Sequence, residues 1–196
     1  MVKRALIFIV VLYAVSILNS CRNRMTFYVW EDFNIEIIDN SSTREETIYL
    51  DVNNPIPIAK LGLRVRPTFY RTFSQTRTFN VISEVQAQGC PIDRRLHSIT
   101  SIVIKVVNED SGAGIDVTSL FKGRLFLGGL EYSIDELIYQ FNRRGFCGGG
   151  FLHREILDFY LDNDSIDLTG KQTFEITITF DDGIVLTQKT EELTLI

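Results

Sequence analysis

Apolar and polar residues alternate with a period of two along much of this chain, which is the pattern of β-strands with one buried face. Residues 48–52, 61–65 and 157–161 follow this alternation, so each segment is predicted to be a strand with one solvent-exposed face. Residues 99–107 are apolar at most positions and rich in β-branched side chains. Such a run predicts a central strand that is covered on both faces.

The last 25 residues carry the clearest pattern. Four apolar residues alternate with polar ones from Phe174 to Phe180, and the pair Asp182-Gly183 then predicts a tight hairpin turn. The returning strand begins with Ile184 and ends with Leu195, but its apolar positions shift by one residue on the way. We therefore expect a bulge between residues 188 and 192.

One helix is predicted against this β background. Ser133 and Glu136 have capping-box spacing, and apolar residues follow at helical intervals as far as Phe141. Gly145 provides the stop signal. With a second helical turn expected at 116–121, residues 108–154 are predicted to form a helical excursion between strands.

The strand count and the turn signals together predict a mainly β fold. We expect an immunoglobulin-like antiparallel β-sandwich of about seven strands, with one inserted short helix. The same count is compatible with a barrel. Residues 34–196 form a single predicted domain, since no repeat or interdomain linker interrupts them.

The first 20 residues have the layout of a secretory signal peptide. Lys3 and Arg4 precede an uncharged stretch at 5–18 that is too short to span a bilayer as an ordinary helix. The sequence at 18–21 ends in Cys21 and resembles the lipobox of bacterial lipoproteins, in which the cysteine after the cleavage site is lipidated. Residues 21–33 are then predicted to form a tether. The alternative is a plain leader, with Cys21 an ordinary thiol.

The other two cysteines, Cys90 and Cys147, make an even pair in a chain predicted to reach an oxidising compartment. The simplest interpretation is one disulfide, which would contribute on the order of 4 kcal/mol in the chain-entropy model. Two buried free thiols are the alternative.

Two runs carry a wider resemblance: SITSIVIKVVNEDSGAGIDVTSLF at 98–121 and GKQTFEITITFDDGIVLTQKTEELTL at 170–195. They are similar to small Bacteroidetes-type envelope lipoproteins whose domain has no assigned function. The resemblance implies a mainly β envelope lipoprotein and transfers no catalytic residue. Arg22, Asn23 and Arg24 stand where an acidic retention signal would lie, which favours the outer membrane. Bacteroidetes-type lipoproteins that reach the cell surface often carry acidic residues just after the cysteine. This chain lacks them, which favours the periplasmic leaflet of the outer membrane over the cell surface.

Charge and motifs restrict the function further. The formal net charge is −5, which disfavours nucleic-acid binding. No nucleophile motif accompanies His97 or His153, and the acidic run at 162–167 fails the EF-hand pattern, so we predict no catalytic residue, no metal and no cofactor.

A run of aromatic residues provides the candidate contact site. Phe69, Tyr70 and Phe73 lie among arginines in a segment predicted to be a loop, where they could bind a partner or pack in the core. We expect a lipid-anchored binding or scaffold module, without enzymatic activity, for an envelope protein or glycan. The alternative is a glycan-processing hydrolase that uses scattered carboxylates.

Overall fold

The fold consists of two β-sheets packed face to face, with one short helix. The structure is a computed structural model, and it describes residues 24–42, 46–76, 92–95, 97–107, 114–125, 130–143, 146–147, 155–162 and 168–196. The described part contains the strands β1 (Arg24–Asp39), β2 (Leu61–Thr76), β3 (Ile92–Arg95), β4 (Ile99–Val107), β5 (Gly114–Asp116), β6 (Phe121–Leu125), β7 (Glu131–Tyr132), β8 (Phe146–Cys147), β9 (Leu157–Leu161), β10 (Gly170–Phe180), β11 (Val185–Lys189) and β12 (Leu193–Leu195). The helix is α1 (Ile134–Arg143), and 3-10 turns form at Ile58–Lys60 and Thr118–Leu120.

Seven strands form the first sheet, in the order β7-β6-β9-β2-β1-β3-β8, and five form the second. The second sheet has the order β11-β10-β4-β5, with β12 pairing with the start of β10. Neighbouring strands in both sheets are antiparallel, except that β3 runs parallel to β1. The predicted sandwich is therefore confirmed as a mainly β, two-sheet architecture. This strand order does not confirm the immunoglobulin-like connectivity.

Aromatic side chains join the two sheets and the helix. The ring of Trp30 on β1 lies 5.7 Å from Phe180 on β10 and 6.0 Å from Phe141 on α1, centroid to centroid. Phe121 on β6 meets Phe174 on β10 at 6.0 Å. These rings meet edge to face and are almost fully buried, so both the apolar area they bury and their contact geometry stabilise the packing of the two sheets and the helix.

The predicted tether at 21–33 is wrong from residue 24 onward. Residues 24–33 are the first part of β1, which pairs with β2 along nearly its whole length, and Trp30 and Phe33 are buried. Two bulges in the ladder, between Phe27 and Tyr28 and between Trp30 and Asp32, explain why the aromatic residues of this segment follow no clean period. A bulge shifts which side chains face the core, and so it hides the alternation from the sequence.

The predicted strand at 48–52 is reduced to a single bridge between Tyr49 and Ile38. The connection from β1 to β2 instead folds back over the outer face of the seven-stranded sheet, where Thr47 accepts a hydrogen bond from Arg64. This cover also explains why β2 and β9 lack the predicted exposed faces: Arg64 and Asp158 are both buried. By contrast, β4 is covered on one face only, since Val103 and the other residues of that face remain partly exposed.

The helical excursion predicted at 108–154 is mostly wrong. Its described residues contain β5, β6, β7 and β8, and helical structure is limited to α1 and the 3-10 turn at Thr118–Leu120. The N-terminus of α1 follows the prediction, because the Ser133 hydroxyl accepts a hydrogen bond from the backbone N–H of Glu136. Ile134, Leu137 and Phe141 are its buried face.

The C-terminal hairpin is confirmed. Phe174, Ile176, Ile178 and Phe180 are buried, and Gly183 adopts the positive φ of 87° that the turn needs. The expected bulge at 188–192 is replaced by a break, since β11 ends at Lys189 and the chain resumes pairing as β12. Within the described residues, no helix combines the length and apolar character needed to cross a bilayer.

Candidate functional site

A groove of about 520 Å³ opens where three separate segments of the chain meet. The first residues of β4 form one side, the 3-10 turn after β5 forms another, and the N-terminus of α1 completes it. Its lining consists of Thr100, Ser101, Ile102, Asp116, Thr118, Ser119, Phe121, Ser133, Ile134, Asp135 and Ile138.

The floor of the groove is rigid and apolar. Ile102, Phe121 and Ile134 are buried members of the core that joins the two sheets. Because these side chains are held by close packing, they fix the shape of the groove before any ligand arrives.

The hydroxyl groups in the groove divide into two kinds. The Thr118 hydroxyl is committed to the fold, since it accepts from the Ile104 N–H at 2.8 Å and donates to the Ile104 carbonyl at 3.3 Å. Among the described residues, nothing hydrogen-bonds the hydroxyls of Ser101 and Ser119. These two groups can therefore donate to and accept from a ligand without breaking an existing contact.

Two carboxylates also face the groove. Hydrogen bonding from Thr118, whose backbone N–H donates to Asp116 Oδ1 at 2.9 Å, together with the charge of Lys105, lowers the pKa of Asp116, so this carboxylate stays ionised at neutral pH. Asp135 lies in the first turn of α1, where the helix dipole stabilises its negative charge. None of the lining side chains is basic. The groove therefore repels anions and suits neutral or cationic ligands.

The predicted contact residues Phe69, Tyr70 and Phe73 lie in β2, so the loop expected there is a strand. Phe69 is half-buried against the core, and its ring contacts Trp30 at 6.1 Å and Tyr28 at 6.1 Å. Core packing thus accounts for Phe69, while the side chains of the other two residues lie outside what the structure describes.

The cysteine predictions fall mostly outside the described residues. Cys21 and Cys90 are among the residues not described, and Cys147 is described only by its backbone in β8. That backbone pairs with Ile92 on β3. Lipidation of Cys21 and the disulfide between Cys90 and Cys147 stay predictions.

Of the two histidines, His153 lies outside the described residues. His97 stands between two carboxylates of the β10–β11 turn, with Nδ1 3.3 Å from Asp181 and Nε2 3.2 Å from Asp182. No local pattern in the sequence indicates that His97 and these two carboxylates meet, because they are more than 80 positions apart in the chain.

A buried charge network lies on the outer face of the first sheet, away from the groove. Arg64 donates two hydrogen bonds to the Asp158 carboxylate, of 2.6 and 2.8 Å, and the Tyr160 hydroxyl donates to the same carboxylate at 3.3 Å. Burial and the charge of Asp158 raise the pKa of Tyr160 well above its usual range. Because its strongest donors and acceptors satisfy one another, this network holds the β1–β2 connection to the sheet rather than binding a ligand.

Sequence reasoning missed the groove. The only signal it contained was the Ser133 cap, which marks one side, whereas the other sides come from residues that fall at strand ends and in a turn. Compared with protein families, with curated proteins and with solved structures, the chain matches none.

Proposed function

We propose that this protein is a lipid-anchored module of the bacterial cell envelope that binds neutral oligosaccharides in the groove beside α1. The observation that carries the proposal is the lining: the hydroxyls of Ser101 and Ser119 and two carboxylates lie above a buried apolar floor, with no basic side chain. Sugars present the complementary surface, since their hydroxyls need both donors and acceptors while their C–H faces pack on apolar groups.

An exposed aromatic ring extends this surface. Tyr139 is 58% exposed on α1, four residues after Asp135, and residues at this spacing share one face of a helix. Tyrosine offers a broad apolar face at low entropic cost, which suits stacking on a sugar ring. Tyr139 would therefore lengthen the binding surface beyond the groove itself.

The anchor at Cys21 would bring the folded domain close to the membrane. Only two residues separate Cys21 from the start of β1 at Arg24, and three extended steps span about 10 Å. Several acyl chains on one cysteine would hold the chain firmly, since each buried CH₂ contributes about 0.8 kcal/mol. We place the anchor in the outer membrane, with the periplasmic leaflet favoured.

A disulfide between Cys90 and Cys147 also forms part of the proposal. The pairing of Cys147 with Ile92 supports it, because Cys90 is only two residues from Ile92 in the sequence. A link at that point would tie β3 and β8 together at the edge of the first sheet.

Binding to an array of neutral, amino and anionic oligosaccharides tests the proposal. The wild-type protein should retain neutral or amino sugars and ignore uronic and sialic acids, because two carboxylates and no basic side chain line the groove. Ser119→Tyr, which fills the groove, should weaken binding at least tenfold. Thr68→Tyr places the same side chain at an exposed position on β2 and should leave binding unchanged. Equal binding by the two variants would show that the oligosaccharide does not bind in the groove.

Hydrolysis of the bound glycan is the second candidate, favoured by one observation: Asp116 and Asp135 line the same groove. Asp116, with its lowered pKa, suits the role of base or nucleophile. Incubating the bound oligosaccharide with the protein and measuring new reducing ends decides the matter. Hydrolysis that Asp116→Asn abolishes would establish an enzyme, whereas intact glycan after long incubation leaves a binding module.

A further inference from the structure

We propose that His97, Asp181 and Asp182 form a binding site for a divalent transition-metal ion, with Zn²⁺ the best-suited candidate. The site is separate from the groove and independent of the function proposed for it. It lies where the segment leading into β4 meets the turn between β10 and β11.

The arrangement of donor atoms carries the proposal. One donor atom from each of the three residues lies within 4.8 Å of the others. Ligands of a tetrahedral zinc ion lie about 2.0–2.2 Å from the metal, which places them roughly 3.3–3.6 Å from one another. One ion bonds only one nitrogen of the imidazole. Either contact, 3.3 Å from Nδ1 to Asp181 or 3.2 Å from Nε2 to Asp182, matches that spacing, and the other carboxylate then lies within 4.8 Å to complete the set.

The backbone holds the site ready for the ion. Asp181 donates its N–H to the Ser98 carbonyl at 2.9 Å, which fixes the turn against the segment that carries His97. The Oδ1 atom of Asp182 accepts the Ile184 N–H at 3.0 Å, so its Oδ2 remains the atom that faces the ring. All three ligands are at least partly exposed, which leaves a fourth position open to water.

The donor set selects the class of metal. One imidazole with two carboxylates suits zinc and its first-row neighbours, whereas calcium and magnesium prefer oxygen ligands alone. When bound, the ion would join the two segments and stabilise the folded state by mass action.

Zinc titration of the full-length protein in detergent, followed by calorimetry, tests the site. The affinity tag is removed and the thiols are alkylated first, because both bind zinc. At about pH 7.5, where histidine is mostly neutral, we expect one equivalent of Zn²⁺ to bind saturably and to raise the midpoint temperature of unfolding. His97→Ala and Asp182→Asn should each weaken binding at least tenfold.

Asp182→Asn keeps an oxygen that can accept the Ile184 N–H, so a folded variant is expected, and circular dichroism checks this. His153→Ala removes the other histidine of the chain and should bind zinc as the wild type does. Two results overturn the proposal: no saturable binding by the wild type, or equal binding by wild type and His97→Ala.

Discussion

At the scale of single residues, burial decides which of two similar ion pairs matters for stability. Arg64 and Asp158 pair with side chains only 2% and 5% exposed, whereas Arg66 and Glu36 pair with side chains 41% and 27% exposed. Both arginines sit on β2 and both pairs make two hydrogen bonds. Removing a partner from a buried pair leaves an uncompensated charge in the interior, while water replaces the partner at the surface.

Asp158→Asn should therefore lower the free energy of unfolding by about 3–5 kcal/mol. Glu36→Gln, the matched change in the exposed pair, should lower it by less than about 1 kcal/mol. Urea unfolding of both variants at neutral pH measures the difference. Similar losses for the two would contradict the buried position of Arg64.

Acid sensitivity is a second property that can be assigned to a residue. Hydrogen bonds from the Ser41 hydroxyl and N–H, with help from Lys60, lower the pKa of Asp39 below its ordinary value of 3.8. A carboxyl group with a lowered folded-state pKa contributes stability above its unfolded pKa, and that contribution disappears as the pH falls through the folded value.

Ser41→Ala removes the largest of these donors. It should cost about 1 kcal/mol at neutral pH, and the difference from wild type should shrink once the pH falls below about 4, as Asp39 becomes protonated. Urea unfolding across this range checks the sign. Ser119→Ala, which removes a hydroxyl that holds no part of the described fold together, should show no such pH-dependent difference. A gap between Ser41→Ala and wild type that widens in acid would contradict the account.

At the scale of elements, a glycine sets how closely α1 approaches the first sheet. A Cβ atom at Gly123 on β6 would clash with the Leu137 side chain, which is fully buried. The helix therefore rests directly on the backbone of β6. Since the start of α1 forms one side of the groove, this contact also fixes the shape of the groove.

Gly123→Ala should lower the free energy of unfolding by about 1–3 kcal/mol through overpacking, and it should weaken glycan binding as α1 shifts. Gly114→Ala is the matched control, because the nearest atom there is a methylene carbon of a flexible lysine side chain, Lys105 Cδ, at 3.1 Å. Thermal unfolding and array binding of the two proteins test the claim. An unchanged Gly123→Ala variant would show that the packing of α1 does not control the site.

Local patterns also decide how much of the structure can be read from the sequence. The β10–β11 turn and the start of α1 were predictable, because Gly183 and Ser133 act on their immediate neighbours. The continuous strand at 24–33 was not, since two bulges interrupt its alternation. The partner of Arg64 lies 94 residues away, and no local pattern announces such a contact.

At the scale of the whole molecule, the described residues form two packed sheets and one helix, and we propose a lipid anchor at Cys21 and a binding groove beside α1. The groove could not be predicted from the sequence for the same reason as the buried ion pair: β4, the turn at Thr118–Leu120 and α1 meet only in three dimensions. The proposed anchor differs in this respect, because it depends on a short local motif around Cys21 and on the sequence alone.

The anchor is tested by growth with a radioactive fatty acid. Wild-type protein should incorporate the label and fractionate with the outer membrane, whereas Cys21→Ala should lose both properties. Cys147→Ala controls for the general effect of losing a cysteine, and it should keep the label even though it opens the proposed disulfide. Equal incorporation by wild type and Cys21→Ala would rule out lipidation at this cysteine.

Backbone amide NMR shifts, measured during titration with an oligosaccharide retained on the array, locate the bound sugar on the protein. We expect the largest changes in Thr100–Ile102, in the turn at Thr118–Leu120 and in the first turn of α1, which together enclose the groove. The largest changes at Phe69–Phe73 instead, or changes scattered without regard to the groove, would contradict binding in the groove.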